Sequence, residues 1–494
     1  MRSDELFENF ISKSGADKEI TGLASDSRKV KRGDAYFCLP GSAHDGHEFI
    51  GDSVSRGAVC IVFSLELSPD EMPGAATGDV LYVRVENTFD ALNSAARTFF
   101  GAPAEKLYMF GVTGTNGKST ITNLIRDMCG DRMPCGYIGT ISIDYGCVHT
   151  APDLTTPDPL FLEKTLDDMV SAGMKACALE VSSQGIANHR VDAIRFDVAV
   201  FTNLTYDHLD YHKTMDEYFA CKARLFSEFV KPDGVSILNA DDARYAQLKE
   251  ISRARTVSYG IDNECDYRAA NIVLRPDGTE FDLIRGGVTY RIVTNLIAKF
   301  NVYNLLAAIA ALCESGADIG EVIRSAGDLP QVRGRLEQID EGQGFHVIAD
   351  FAHTPDGIEK MMQFGREMIG AGHKLIVLTG SAGKRDKAKR RVFGELADKY
   401  CDFAVITEDD PRDEDAEEIG REIISGIANV PYKFILDRET AIRYAIELAG
   451  TGDMVLLLGK GDEKYIYREN GRAPYKGDDT IAREALRDRL NKTG

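Results

Sequence analysis

The segment Gly111-Val112-Thr113-Gly114-Thr115-Asn116-Gly117-Lys118-Ser119-Thr120 constrains this chain more than any other. An apolar run at 107–112 precedes it, and the helix-like Ile121-Thr122-Asn123-Leu124-Ile125-Arg126 follows. Strand, glycine loop and helix in that order make an anion cradle. The glycines turn backbone N–H groups onto phosphate oxygens, the helix N-terminus adds a positive dipole end, and Lys118 supplies a point charge. Gly114, Thr115, Asn116, Gly117, Lys118, Ser119 and Thr120 are therefore candidate phosphate contacts, with Ser119 placed to take Mg²⁺. The strict pattern has glycine where this chain has Val112, so the loop is a variant. A glycine-rich turn with a surface lysine is the structural alternative.

The loop sits in a repeating pattern. Between about 104 and 330, short apolar runs at 107–112, 176–181, 197–201 and 235–238 alternate with longer amphipathic stretches, which predicts a parallel sheet with crossover helices. Each run ends in polar or glycine residues, and in open α/β sheets ligands bind beyond the carboxyl ends of the strands. From 331 to 494 the pattern recurs, with runs at 345–349, 374–378, 404–407 and 454–458. Residues 1–103 mix runs at 35–39 and 58–63 with turn clusters, then a helix-like stretch at 88–100 ending at Gly101-Ala102-Pro103. Three α/β domains are expected, at 1–103, 104–330 and 331–494. The central sheet is of P-loop type and the last domain is Rossmann-like.

The 494 residues carry 58 basic and 78 acidic side chains, a formal charge of −20. Such a surface repels phosphate backbones and anionic lipid, so no nucleic-acid or membrane partner is expected and any phosphate must be held locally. No apolar run nears the length of a membrane span, and the start lacks the apolar core of a signal peptide. The ten cysteines are scattered without a C-x-x-C pair, which predicts buried thiols rather than disulfides or zinc. A cytoplasmic protein is expected.

Kinases, GTPases and ATP-dependent ligases all use such loops, so other residues must decide. Glu180-Val181-Ser182-Ser183, the stretch from Asn203 to His212, and Ala220-Cys221-Lys222-Ala223-Arg224 fall on the same expected edge. Glu180 and His208 are oxygen and imidazole ligands, although either alone could cap a helix. The runs T-G-T-N-G-K-S-T, L-E-V-S-S, N-L-T-Y-D-H-L-D-Y-H and D-F-A-H-T-P resemble the Mur ligases, ATP-dependent amide-forming enzymes of peptidoglycan synthesis. Asp26-Ser27-Arg28 and Asp409-Asp410-Pro411-Arg412 narrow the resemblance to the members that add the third peptide residue.

The resemblance implies a small-molecule, monomeric enzyme. The D-Glu γ-carboxylate of UDP-MurNAc-L-Ala-D-Glu attacks the γ-phosphate of ATP, and a diamino acid's amine then displaces phosphate from the acyl phosphate. Two anions must be pushed together, so cations must neutralise both. By resemblance Lys118, Glu180, His208 and Lys222 are catalytic, and two Mg²⁺ are held by Ser119, Glu180, His208 and Lys222. An ammonium cannot ligate Mg²⁺; in the family the matching lysine is carbamylated by CO₂, which needs a partly neutral amine. From the residues alone Lys222 reads as an exposed helix lysine.

The resemblance further implies ATP contacts at Asn301, Arg335, Asp350 and His353. It implies contacts with the UDP-sugar dipeptide at Ser27, Ser42, Ala43, His44, Thr155, Thr156, Ser182, Asn188 and Arg190, with Ser25 a weaker candidate. Asn188 and Gln184 stand where the family commonly has Gln and His. The amino acid is expected at Arg385, Asp409, Asp410, Pro411, Arg412, Gly459 and Glu463. Diaminopimelate-adding members usually read D-N-P-R, and a carboxylate at position 410 cannot donate to a distal carboxylate. It would repel one by roughly a few kcal/mol at an effective dielectric of about 20. Asp410 and Glu463 therefore favour a bare ammonium, as in L-lysine or ornithine, whereas Arg412 favours diaminopimelate; the Asp410 effect sits nearer the specificity step, so L-lysine is the expected substrate and meso-diaminopimelate the next. A folylpolyglutamate synthase-like ligase and a non-catalytic ATP-binding protein of the same fold are the competing readings.

Overall fold

The computed structural model describes residues 1–493 apart from Glu8, Ser42, Ala43, Arg132 and Pro276. The chain separates into two compact units, Met1–Gly111 with Gly130–Ala199 and Arg224–Gly234, and Val112–Cys129 with Val200–Ala223 and Val235–Gly494.

The first unit opens with a five-stranded sheet ordered Ser12–Ser14, Leu81–Arg84, Cys60–Phe63, Asp34–Phe37, Gly22–Ala24. Only Ser12–Ser14 is antiparallel. Asp34–Phe37 and Cys60–Phe63 are buried along their whole length, because apolar clusters cover both faces of the sheet. Asn87 caps the helix Thr88–Phe99 by accepting from Phe89 N. Later in this unit Ala176–Glu180 pairs in parallel with Cys135–Ile138, which continues antiparallel through Ile143–Tyr145 and Val148–Thr150.

The second unit contains the glycine loop, the helix Lys118–Cys129 that follows it, and the helix Lys299–Glu314 packed on that helix. Val235 to Asn239 pairs in parallel with Arg255–Gly260, as the alternation predicts. The next three strands depart from it: Tyr267–Arg275, Gly278–Arg285 and Val288–Thr294 form an antiparallel meander. Arg285 pairs with Val288 across Gly286 and Gly287, whose φ angles of +56° and +79° make the two-residue turn that matches strand twist.

The end of the chain forms a six-stranded sheet ordered Glu337–Gln338, His346–Asp350, Met454–Leu458, Leu375–Thr379, Phe403–Ile406, Tyr432–Phe434. All neighbours are parallel except the first pair. Apolar clusters with helices lie on both faces, and all five residues of Met454–Leu458 are buried, each contributing about 2 kcal/mol. Among the described residues no disulfide forms, and no helix is long and apolar enough to cross a membrane.

Candidate active site

In the second unit, Gly114 and Gly117 adopt φ of +147° and +90°. A Cβ on Gly114 would lie 1.8 Å from Thr202 Oγ1, and one on Gly117 would lie 2.6 Å from Asn304 Oδ1. Only glycine lets the loop pass this close to its neighbours. Thr202 Oγ1 donates to Asn116 O at 2.6 Å, Asn116 N donates to Asn203 Oδ1 at 3.0 Å, and Thr205 N donates to Thr115 Oγ1 at 3.0 Å. The loop is thus held from behind by the 202–205 segment. Lys118 Nζ curls over it, donating to Gly114 O at 3.1 Å and Thr115 O at 2.8 Å. Ser119 and Thr120 are buried in the first helical turn.

Lys222, on the helix Met215–Arg224, is 1% exposed and donates from Nζ to Gly114 O at 2.7 Å. Its ammonium also lies 4.6 Å from the Tyr218 ring centroid. The solvated helix lysine of the residue-level reading is therefore replaced by a buried amine under the loop. Burial, with Lys118 nearby, pushes its pKa well below the ordinary lysine range. His208 sits at φ +54° with Nε2 3.3 Å from Asp207 Oδ2. Burial first, then Lys222, Lys118 and Arg385, lower its pKa to about 4, against the pull of Asp207. At neutral pH this imidazole is uncharged and has a lone pair to offer.

Residues from the C-terminal sheet reach the same loop. Arg335 Nη2 donates to Ser119 Oγ at 3.2 Å, and its guanidinium stacks 4.4 Å over the Phe351 ring. Asn116 Nδ2 donates to Asp356 Oδ2 at 2.8 Å. His353, its pKa lowered to about 4 by burial and Lys389, hydrogen-bonds Phe351 O through Nδ1 at 2.9 Å. Asp350 is buried, and its oxygens accept from Leu336 N and Ala352 N, both at 2.7 Å. It therefore shapes the turn after its strand. Asn301 is buried on the helix behind the loop, donating to Ile297 O and accepting from Asn304.

Asp409, Asp410 and Glu463 gather around Lys460, which lies in the 459–463 segment but was not itself expected to contact the amino acid. Lys460 is fully buried and pairs with Glu463 at 2.5 Å, Asp410 at 2.8 Å and Asp409 at 3.9 Å. Burial opposes its charge, yet Asp409, Glu463 and Asp410 together hold its pKa above the ordinary lysine value. Asp410 also accepts from Tyr467 N at 2.9 Å. A protein ammonium thus already engages the carboxylates that were expected to await a substrate ammonium. Arg412, at φ +58°, lies 5.4 Å over the Tyr467 ring, while Pro411 is buried and Gly459 takes φ +115°. Arg385 reaches Asp210 Oδ2 at 3.5 Å.

The first unit brings together a second set. Thr156 Oγ1 donates to Glu180 O at 2.8 Å and lies 3.0 Å from Ser182 Oγ, which caps the helix Ser183–Ala187. Arg190 Nη1 donates to Thr156 O at 3.0 Å. Glu180 is fully buried at its strand end; Oε1 accepts from Tyr137 Oη at 2.6 Å and Thr140 N at 2.9 Å, and Oε2 from Thr140 Oγ1 at 3.1 Å. Thr140 Oγ1 is also 3.0 Å from Thr155 Oγ1. Asn188 instead folds back, donating to Gln184 O at 2.7 Å. Ser27 is buried at the start of a short 3₁₀ turn capped by Asp26, His44 is exposed, and Ser42 and Ala43 lie outside the described residues.

Tyr137, Thr140, Asp356 and Lys389 were not foreseen, and Asp207 and Lys460 only as parts of the 203–212 and 459–463 segments. Lys460, a lone cation between two glycines at a strand end, carried a readable signal. Tyr137 and Thr140 did not, since about forty residues separate them from Glu180 and only strand pairing joins them.

Three family models match in order: Mur ligase family, catalytic domain, at residues 19–100; Mur ligase middle domain at 112–312; and Mur ligase, glutamate ligase domain at 334–461. The chain is 38% identical to a UDP-N-acetylmuramoyl-L-alanyl-D-glutamate–2,6-diaminopimelate ligase of Bacillus cereus, covering 96% of this chain and 95% of that one. It is 39% identical to the protein of that name from Geobacillus thermodenitrificans, covering 96% of each. A solved structure of a ligase of that name superposes with a TM-score of 0.66 at 28% identity over 95% of both chains. Two more distant structures share the fold alone. These are a MurF ligase of Thermotoga maritima in complex with ADP (TM-score 0.64, 18% identity, 96% and 98% covered) and a Mycobacterium tuberculosis folylpolyglutamate synthase (0.61, 16%, 81% and 94% covered). The resemblance read from the motifs is borne out along nearly the whole chain, and with its three-domain α/β fold this protein belongs to the Mur ligase family of ATP-dependent ligases.

Proposed function

We propose that this chain joins a diamino acid, meso-diaminopimelate, to the D-Glu of UDP-MurNAc-L-Ala-D-Glu at the expense of ATP. The observation that carries the reading is the meeting of Lys118 and Lys222 at Gly114 O, both near enough to His208 to lower its pKa. In the first step a carboxylate oxygen of D-Glu bonds to the γ-phosphorus and the bond to ADP breaks. In the second the amine attacks the acyl carbon, loses a proton, and phosphate departs. Lys118 and the loop N–H groups would bear the charge on the γ-phosphate, and Arg335, already at Ser119, would meet it from the C-terminal side.

The donor set suits magnesium. Within the second unit Ser119 offers a hydroxyl and His208 an uncharged imidazole, while Glu180 is a ligand by the family resemblance alone; among the described residues no group of three or more His, Cys, Asp or Glu side chains forms a ready-made site. The buried amine of Lys222, its pKa held well below the ordinary lysine range, supports a further oxygen ligand formed there. Its nitrogen adds to CO₂, a C–N bond forms, a proton leaves, and the resulting carbamate is an anion beside His208. Bound magnesium would polarise the phosphate and carboxylate oxygens.

The family matches at 19–100, 112–312 and 334–461 fall inside the segments 1–103, 104–330 and 331–494, to which we assign the UDP-sugar, ATP and the amino acid. Diaminopimelate is preferred because Lys460 offsets Asp410 while the Arg412 guanidinium, whose Nε is buried without a hydrogen bond, remains for a distal carboxylate. L-lysine is the second reading, favoured by the Asp410 carboxylate itself. Phosphate release with the UDP-dipeptide, ATP and each of meso-diaminopimelate, L-lysine and ornithine tests both. Turnover is expected with diaminopimelate; none with any amino acid would overturn the ligase reading.

A further inference from the structure

The two segments assigned to the amino acid, 409–412 and 459–463, leave the carboxyl ends of different strands, Phe403–Ile406 and Met454–Leu458. Strand Leu375–Thr379 lies between those strands in the sheet, so their ends are not joined by direct backbone pairing. Lys460 spans the gap to Asp410 through its ammonium, and a second side chain ties the strand ends themselves. Arg438, the first residue of the helix Arg438–Leu448, donates from Nη1 to Glu408 O at 3.1 Å and from Nη2 to Leu458 O at 3.0 Å. Those carbonyls belong to the residues immediately before Asp409 and before Gly459.

The guanidinium is anchored from its other edge. Nε and Nη2 donate to the two oxygens of Asp478 at 2.9 and 2.6 Å, and Asp478 Oδ1 also accepts from Tyr475 Oη at 2.6 Å. Arg438 is 1% exposed and Asp478 fully buried. Burying such a pair needs further hydrogen bonds to repay desolvation, and here four of the five guanidinium N–H directions are used. The spacing at this junction is tight. A Cβ on Gly459 would lie 2.6 Å from Asp409 Oδ2 and 3.9 Å from Arg438 Nη2. A small slip of either strand end would displace Asp409, Asp410 and Lys460 together, and bound geometry is sensitive to such shifts.

We infer that Arg438, locked by Asp478, is a positioning residue that clamps the two selectivity segments in register and so sets affinity for the incoming amino acid. This rests on the assignment of those segments to the amino acid. Lysine cannot replace it, because a point charge lacks the planar fork that reaches two carbonyls and a carboxylate at once.

The test uses the full-length enzyme and steady-state kinetics with each substrate varied in turn. Arg438→Lys keeps the charge opposite Asp478, and the double variant Arg438→Met with Asp478→Leu removes both buried charges while preserving volume, which protects folding. Circular dichroism melting identifies folded protein. In either folded variant KM for the diamino acid should rise at least tenfold, with KM for ATP and for the UDP-dipeptide within twofold. An unchanged amino-acid KM, or an equal loss toward all three substrates, would overturn the clamp. Arg412→Ala serves as the parallel arm. If it raises the amino-acid KM while the clamp variants do not, only the clamp fails; if neither does, the site assignment fails and takes the clamp with it.

Discussion

Lys222 Nζ and the carbonyl oxygen of Gly114 are hydrogen-bonded at 2.7 Å, joining the helix Met215–Arg224 to the underside of the phosphate loop. Burial lowers the Lys222 pKa, which raises the share of the neutral amine, the form nucleophilic toward CO₂. Lys222→Ala should therefore lose at least about a hundredfold in kcat, with excess bicarbonate giving no recovery. Carbon-13 NMR with labelled bicarbonate should show a carbamate resonance in the parent enzyme and none in the variant. Near-normal turnover in Lys222→Ala would remove the carbamate from the mechanism.

Arg335 crosses from the C-terminal sheet to Ser119 and is braced by Phe351. Removing a guanidinium that meets developing phosphate charge costs roughly 3 kcal/mol of transition-state stabilisation, or about a hundredfold in kcat/KM. Arg335→Ala should show that loss with ATP, while its thermal midpoint moves little. Arg335→Lys should recover only a minor part. Stopped-time ADP formation measures both.

Asp410 shares Lys460 with Glu463 and Asp409, so its charge is partly offset before any substrate arrives. Asp410→Asn keeps an acceptor for Tyr467 N but removes one negative charge from the segment to which we assign the amino acid. The ratio of kcat/KM for meso-diaminopimelate over L-lysine should rise by about three- to tenfold. Competition between the two amino acids reads the ratio directly, and an unmoved ratio would place the selectivity elsewhere.

Glu163, on the helix Pro159–Ser171, is 1% exposed with both carboxylate oxygens buried and lacking hydrogen-bond partners. Burial raises its pKa to about 7, the attraction of Arg97 offsetting this only in part. An acid with a folded pKa above its unfolded one penalises the fold once ionised. The penalty is absent below about pH 4.5, grows through pH 7 and is complete above it. At full ionisation it is roughly 3 kcal/mol. Glu163→Gln should therefore raise the melting temperature at pH 8 and change it little at pH 4.5. Equal effects at both pH values would contradict the assignment.

Short-range pattern made much of this molecule legible. The strands Tyr108–Thr113, Ala176–Glu180, Leu375–Thr379 and Met454–Leu458 lie where apolar runs ending in polar residues predicted them, because a strand buried on both faces must be apolar throughout. The loop glycines, Lys118 and His208 were equally visible as candidates, since phosphate and metal chemistry admits few residue types. The antiparallel meander was not, although Gly286-Gly287 carried its turn. From the sequence alone came the family, the domain pattern and the chemistry-bearing types at each strand end. Tertiary structure alone decided that Lys222 is dry rather than solvated, that Asp410 already has an ammonium partner in Lys460, and that Arg438 ties Glu408 to Leu458. Burial and charge compensation arise between residues far apart in the chain, and no local pattern encodes which distant group will remove the water or supply the counter-charge.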